Sequence, residues 1–412
     1  MANLEIADPH DAVESKVCAG TFNARSNLIR LGIAQALAGA NSTVVFATGA
    51  IIGNTLAPNK ALATLPITTL VLGMAAATLP AGAIAHRYGR RTAFLTGTGC
   101  GVLVGLLAAL ALIIGSFWLY SFSTFFAGAY AAVVFSFRFA AADCVPAERK
   151  ARALGAVMAG GVFAGVIGPQ LVTYTMNLWQ PYMFAVTYLA QAAIAVVAAI
   201  ILMGVQLPKP TAEERAGGRP LAVIVRQPRF IIAVTCATIS YMLMNLLMTS
   251  APLAMRLCGH SQETSNLGLE WHVFAMYGPS FFTGRLISRF GAKRIVFIGL
   301  MLLAASAITG LSGIDVLHFW ITLILLGLGW NFGFVGSSAL VLECHRPEER
   351  TRVQSLNDFV VFGMLLVSSL SSGGLLNHFG WNMICWVAFP PLVVAAGALA
   401  LSNTRFANRV HA

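Results

Sequence analysis

A carboxylate and an imidazole stand two residues apart in Glu270-Trp271-His272, within a run that is otherwise largely apolar. In a poorly hydrated cleft such groups can take up and release a proton. Residues two apart on a helix face different ways, so the two need not pair. The alternative reading is a wet outer rim, with Trp271 in an interfacial aromatic belt. Arg138 lies five residues before Asp143, roughly 140° around a helix at about 100° per residue. Arg138 therefore either meets a solute or snorkels to an interface. Asp358 follows Asn357 at the start of another apolar run, where it favours the positive end of a helix dipole. It reads as a latch partner for the basic loop at Arg87, with ion binding as the alternative.

Uncharged polar and aromatic residues near the middle of apolar runs are candidate walls of a binding cavity: Asn41, Tyr130, Asn245, Trp330 and Asn331. Each alone is also consistent with helix packing. Together, amides and aromatics with few fixed charges suit a flat, largely neutral solute. A strongly anionic one would call for more buried Arg or Lys. No GxxxxGK[ST], HExxH or GxSxG pattern occurs, so no nucleotide-binding or hydrolase signature is present and no enzyme is expected. The cysteines number 7, and the odd count with no CxxC indicates neither a disulfide framework nor a zinc site. No metal and no cofactor are expected.

These residues need an unusual scaffold. Of 412 residues, 58% are hydrophobic and only 10% charged, against roughly 25% charged in soluble domains. A bilayer is the fitting solvent. Hydrocarbon admits helices or closed barrels, and the runs here are solidly apolar rather than alternating, so helices are expected. Each needs about 20 residues. Apolar runs near 28–52, 62–85, 92–114, 116–141, 153–176 and 180–203 precede a polar stretch holding Lys209, Pro210, Glu213, Glu214 and Arg215. Further runs lie near 229–254, 266–288, 294–312, 316–342, 353–376 and 380–402. The expected organisation is a tail at 1–27, a six-helix bundle at 28–203, a linker at 204–228, a second six-helix bundle at 229–403 and a tail at 404–412. Acidic residues Glu5, Asp8, Asp11 and Glu14 make the first segment a polar tail rather than a cleavable leader.

The net charge is +11, but no basic stripe with interleaved aromatics points to nucleic acid. The positive charge sits between spans. Lys60 and Arg256 fall in one set of loops, and nearly all other Lys and Arg fall in the opposite set, the linker and the tails. By the positive-inside rule that second side, with both termini, is cytoplasmic.

The chain also repeats itself. GAIAHRYGRRTAFLTG at 82–97 aligns without gaps to GRLISRFGAKRIVFIG at 284–299, matching Gly82 to Gly284, Arg87 to Arg289, Gly89 to Gly291 and Arg91 to Lys293. Pro146-Ala147-Glu148-Arg149 echoes Pro347-Glu348-Glu349-Arg350. Two echoes at nearly one offset indicate a duplicated six-helix unit, as in many transporter folds. Arginines on these turns fix topology. They can also latch helix ends, with Arg87, Arg91 and Asp143 in one cluster and Arg289, Lys293 and Glu343 in the other.

The stretch GAIAHRYGRR resembles the loop between the second and third helices of the major facilitator superfamily, written GxxxDRxGRR. DCVPAERKARALG at 143–155 with GVFAGVIGP at 161–169 resembles that superfamily's link into its fifth helix. The resemblance implies twelve transmembrane helices in two pseudo-symmetric bundles, with the first, fourth, seventh and tenth helices lining a central cavity. It implies a secondary transporter working by alternating access in a bacterial inner membrane, as a monomer, with a small molecule, lipid and a proton as partners. Two departures stand out. The family's loop Asp is His86, with Ser288 as its counterpart. The Arg common in the fourth helix is Thr124 before Gly128, which weighs against a proton-driven drug exporter. GLEWHVFAMYGPSFFTG at 268–284 and LNDFVVFG at 356–363 resemble a proteobacterial branch of the superfamily whose members are mostly uncharacterised, and the superfamily's riboflavin importers, which occur in alphaproteobacteria, are what this chain resembles in turn. That resemblance implies riboflavin uptake, with Tyr130 and Trp330 stacking on the isoalloxazine and the amides bonding its edge. A proton-coupled drug or metabolite exporter is the alternative.

Overall fold

The computed structural model describes residues 23–59, 62–207 and 217–410. The expected tail up to residue 22, Lys60, and linker residues Lys209, Pro210, Glu213, Glu214 and Arg215 lie outside the described residues. Within them the chain is helical, with no strand. The first six spans are α1 Ala24–Leu56, α2 Leu65–Tyr88, α3 Arg90–Ile114, α4 Phe117–Asp143, α5 Ala147–Thr175 and α6 Ala185–Met203. The last six are α7 Pro228–Leu257, α8, α9 Ala292–Ser312, α10 Val316–Leu342, α11 Pro347–Leu376 and α12 His378–Ala400. Helical backbone continues beyond the last apolar segment to Val410, through the stretch expected as a tail.

Helix α8 is the exception among the spans. It runs Gln262–Tyr277, breaks at Gly278-Pro279 and resumes as Ser280–Phe290. Among the described residues, eleven helices are long and apolar enough to cross a bilayer unaided. The interrupted α8, which also carries Glu263, Glu270, Arg285 and Arg289, makes the twelfth. Side-chain caps start several spans: Asn23 accepts from Ser26 N at 3.0 Å, Ser116 from Leu119 N at 3.3 Å and Ser261 from Thr264 N at 3.2 Å.

The duplication read from sequence reappears in the backbone. α2 hands over to α3 through Gly89 at φ 93°, ψ 158°, and α8 to α9 through Gly291 at φ 84°, ψ 147°. This left-handed region suits glycine, so both halves turn the chain with the same device. Arg87 lies over Tyr88, and Arg289 over Phe290, each at 5.3 Å from the ring centre.

Small residues set the helix spacing, as packing in lipid requires. On α3, Gly97 faces Val133, Gly101 faces Tyr130 and Gly105 faces the Tyr188 carbonyl. The halves meet along two seams. α2 packs on α11, and α5 packs on α8. Both seams place a glycine of the repeated motif against the other half. A Cβ on Gly82 would lie 2.0 Å from Ser355 Oγ, and one on Gly284 would lie 2.5 Å from the Ala151 carbonyl oxygen. Both contacts lie toward the end of the bundle that carries Gly89 and Gly291, called here the basic end.

Candidate functional site

At the basic end, α3 begins with Arg90, which is 8% exposed. Its guanidinium lies 2.7 Å from Asp143 at the end of α4 and donates to Gln354 Oε1 on α11 at 2.6 Å. Gln354 in turn lies 3.1 Å from His345 Nε2. One arginine thus ties α3 and α4 of the first half to α11 of the second. The cluster expected around Asp143 is corrected here: Arg90 fills it, while Arg87 and Arg91 point into solvent. The repeat places Ala292 opposite Arg90, so the second half has no such guanidinium. Glu343 instead feels Arg229 and Lys293. Arg289 is exposed and stacks on Phe290. Partial burial pushes the Glu343 carboxyl above its ordinary range, against the pull of those two cations.

The linker contributes a clasp. Arg219 donates through its backbone N and Nε to Glu349 Oε1, both at 2.8 Å, and through NH2 to Oε2 at 2.7 Å. Glu349 is 1% exposed. This two-pronged geometry is the strong form of an Arg–carboxylate pair. Sequence reasoning saw the Pro347-Glu348-Glu349-Arg350 echo but not its partner. At the other end of the linker, Asn27 and Gln206 exchange hydrogen bonds at 2.6 and 3.0 Å.

Deeper in the molecule, Arg138 of α4 and Asp358 of α11 form an ion pair at 2.5 Å, their side chains 0% and 4% exposed. Asn357 Nδ2 donates to the same carboxylate at 2.8 Å, and Arg138 Nε donates to Ser338 Oγ at 3.1 Å. Two expectations are corrected. Arg138 does not snorkel to an interface, and Asp358 is latched to it rather than to the loop at Arg87.

The Arg138 guanidinium also sits over the Phe334 ring at 4.7 Å and the Phe139 ring at 4.2 Å. Phe334 belongs to an aromatic cluster on the axis between the halves. Phe135 of α4 meets Tyr241, Phe334 and Phe362 at 5.8, 6.2 and 5.6 Å between ring centres. Tyr241 of α7 touches Trp330 at 5.5 Å, Trp330 stacks on Phe334 at 5.2 Å, and Tyr277 of α8 closes on Trp330 at 5.5 Å. Trp330, Phe334 and Phe362 are wholly buried, whereas Phe135 and Tyr277 are half-buried, with Gly161 of α5 against the Tyr277 ring.

The five expected cavity residues separate. Trp330 belongs to the aromatic cluster and is wholly buried within it. Tyr130 packs against Gly101 in the interior of the first half, 1% exposed, with its hydroxyl unpartnered among the described residues. Asn331 opens a π-helical turn and is tied to α8, accepting from Thr283 Oγ1 and donating to the Met276 carbonyl and Ser280 Oγ, each at 2.6 Å. Asn245 donates to Ser368 Oγ of α11 at 3.3 Å. Asn41 is 1% exposed, and neither its oxygen nor its nitrogen has a partner among the described residues. The expected pair on α8 also divides. Glu270 is exposed, while His272 is 0% exposed, with Nδ1 at 2.7 Å from the Leu323 carbonyl and Nε2 unpartnered among the described residues.

Comparison with known proteins adds three findings. The chain matches the Major Facilitator Superfamily over residues 31–278 and 271–411. It is 44% identical over 381 residues to the riboflavin transporter RfnT of Brucella anthropi, covering 92% of this chain and 96% of that protein. Among solved structures it is similar to the proton:xylose symporter XylE bound to 6-bromo-6-deoxy-D-glucose, with TM-score 0.75, 13% identity, and 90% and 94% of the two chains covered. The human organic anion transporter MFSD10 gives TM-score 0.75 at 12% identity, with 92% and 100% covered.

Proposed function

The chain belongs to the Major Facilitator Superfamily, and we propose that this multi-pass membrane transporter carries riboflavin into a bacterial cell, chemically unchanged, by alternating access. The observation that carries the reading is the aromatic cluster between the halves. Phe135 and Tyr277 offer half-buried ring faces, backed by Tyr241, Trp330 and Phe334. Such rings stack on a flat heteroaromatic solute. The 44% identity to a riboflavin transporter supports an isoalloxazine as that solute.

In this reading the two six-helix units rock about the cluster. The contacts of Arg90 with Asp143 and Gln354, and of Arg138 with Asp358, support reading this arrangement as the state with the basic end closed. The excess of Lys and Arg supports a cytoplasmic basic end, and the similarity to a Brucella transporter supports a bacterial inner membrane. A single chain holds both units, so a monomer suffices. Coupling to a proton falls to His272, whose buried Nε2 has no partner among the described residues, rather than to exposed Glu270.

The test is uptake of radiolabelled riboflavin by cells lacking other routes for it. Expression of the chain should produce saturable accumulation, lost with excess unlabelled riboflavin. Absence of riboflavin uptake, with reduced accumulation of a dye or antibiotic instead, would assign the chain to export.

A further inference from the structure

The contact that closes the basic end contains a histidine whose protonation state is dictated by its neighbours. Arg90 offers only N–H donors. Gln354 must therefore turn its carbonyl oxygen toward Arg90, as it does at 2.6 Å. That leaves the Gln354 amide nitrogen facing His345 Nε2, 3.1 Å away. An amide nitrogen donates, so Nε2 must accept and carry no proton. The other ring nitrogen, Nδ1, holds the proton and donates to the Arg346 carbonyl at 3.2 Å. Rotating the Gln354 amide would not help, because mending the contact to a protonated His345 would turn its nitrogen onto Arg90.

We propose that His345 is a proton-binding site that governs closure of the basic end. Neutral His345 completes a chain from His345 through Gln354 and Arg90 to Asp143, and a proton on Nε2 breaks it. The chain joins α10 and α11 of the second half to α3 and α4 of the first. The internal repeat puts Cys144, Ala153 and Ala292 at the positions matching His345, Gln354 and Arg90. None of them can form such a relay, so the device exists on one side of the pseudo-symmetric molecule alone.

The surroundings fix the sign. Burial holds the imidazole below its ordinary value, with Lys150 and Arg90 acting in the same direction. Asp143 and the Arg346 carbonyl oppose them. The closed form thus disfavours the proton, and opening returns the ring to water, where its pKa is about 6.5. One proton taken up on opening shifts the open-to-closed ratio by up to about tenfold per pH unit below that value. Acid on the basic side opens this end, and neutral pH keeps it shut. The inference rests on the alternating-access reading.

The experiment measures a distance across the basic end. Spin labels at Arg91→Cys and Arg352→Cys, both exposed, would be read by pulsed electron resonance. The full chain would be in lipid nanodiscs, on a background with its native cysteines replaced. Between about pH 8 and about pH 5.5 the ratio of long-distance to short-distance populations should rise about tenfold in the parent. In His345→Gln, whose side-chain oxygen can still accept from Gln354, that ratio should stay within about twofold. His345→Asn serves where the glutamine is not tolerated. An undiminished pH response in both variants, or no response in the parent, overturns the proposal. Riboflavin added at about pH 8 supplies the second arm. If riboflavin moves the distance and acid does not, the His345 assignment fails and alternating access stands. If neither moves it, both fail.

Discussion

Arg138 of the first half and Asp358 of the second form an ion pair 2.5 Å long, with side chains only 0% and 4% exposed. The same guanidinium covers the Phe334 ring, 4.7 Å from its centre. The aromatic cluster and the charge pair are therefore mechanically joined. A solute that displaces Phe135 or Phe334 must also move Arg138. Opening the basic end must separate the pair or carry both charges into water.

Removing one member of this pair should be costly. Asp358→Asn leaves a buried guanidinium uncompensated, a loss of about 3–5 kcal/mol. Thermal unfolding in detergent should fall by several degrees, and riboflavin uptake should collapse. The double variant Arg138→Met/Asp358→Leu should recover most of the thermal stability, because no orphan charge remains, but not the transport. A single variant as stable as the parent would show that the pair does not hold the halves together.

The seam between α5 and α8 makes a sharper steric prediction. A Cβ on Gly284 would lie 2.5 Å from the Ala151 carbonyl oxygen and 2.7 Å from Arg152 Cα, and neither is a side chain that can swing away. Gly284→Ala should hold the basic end ajar and reduce uptake, with the protein still present in the membrane. Gly99→Ala is the control, since nothing lies within 4 Å of the added carbon. It should transport normally and gain roughly 0.5–1 kcal/mol of helix stability. Equal uptake by the two variants would refute close packing at this seam.

Much of this architecture is legible in the sequence, because lipid imposes long apolar runs and duplication leaves paired motifs. The match of Gly82 to Gly284 and Gly89 to Gly291 gives both seam contacts and both turns. Reading the latch needed one further step. Arg90 lies seven residues before Gly97, two helical turns back along the stripe that continues through Gly101 and Gly105. Its neighbour Arg91 is rotated about 100° off that stripe. The glycine spacing thus signals that Arg90 faces α4. The same stripe carries Tyr130 inward, against Gly101 and away from the axis between the halves. The Arg138–Asp358 and Arg219–Glu349 pairs, separated by 220 and 130 positions, have no local signal, because only the docking of the halves and the linker brings them together.

The aromatic cluster predicts a division of labour among its members. Tyr277 and Phe135 present half-buried faces, so Tyr277→Ala or Phe135→Ala should raise the KM for riboflavin by about tenfold, the worth of one lost stacking contact. Trp330 is wholly buried between Tyr241, Tyr277 and Phe334. Trp330→Ala should instead act on the fold, costing about 3–5 kcal/mol. Measuring KM and thermal stability together separates the two effects. An unchanged KM in both Tyr277→Ala and Phe135→Ala would move the riboflavin site elsewhere.

His272 should couple the proton, and Glu270 should not. A carbonyl only accepts, so Nδ1 must donate to Leu323, and in the neutral ring Nε2 then carries a lone pair, buried and without a partner among the described residues. A group so placed can take up a proton when the surrounding helices move, whereas Glu270, two residues away, is already exposed in this state. Glu270→Gln should leave accumulation of riboflavin against its gradient unchanged. His272→Gln should abolish accumulation while exchange of labelled for unlabelled riboflavin across the membrane continues, because exchange needs alternation but no net proton movement. A His272→Gln protein that still accumulates riboflavin when a pH gradient is applied would remove this residue from coupling. One that loses exchange as well would assign His272 to packing between α8 and α10.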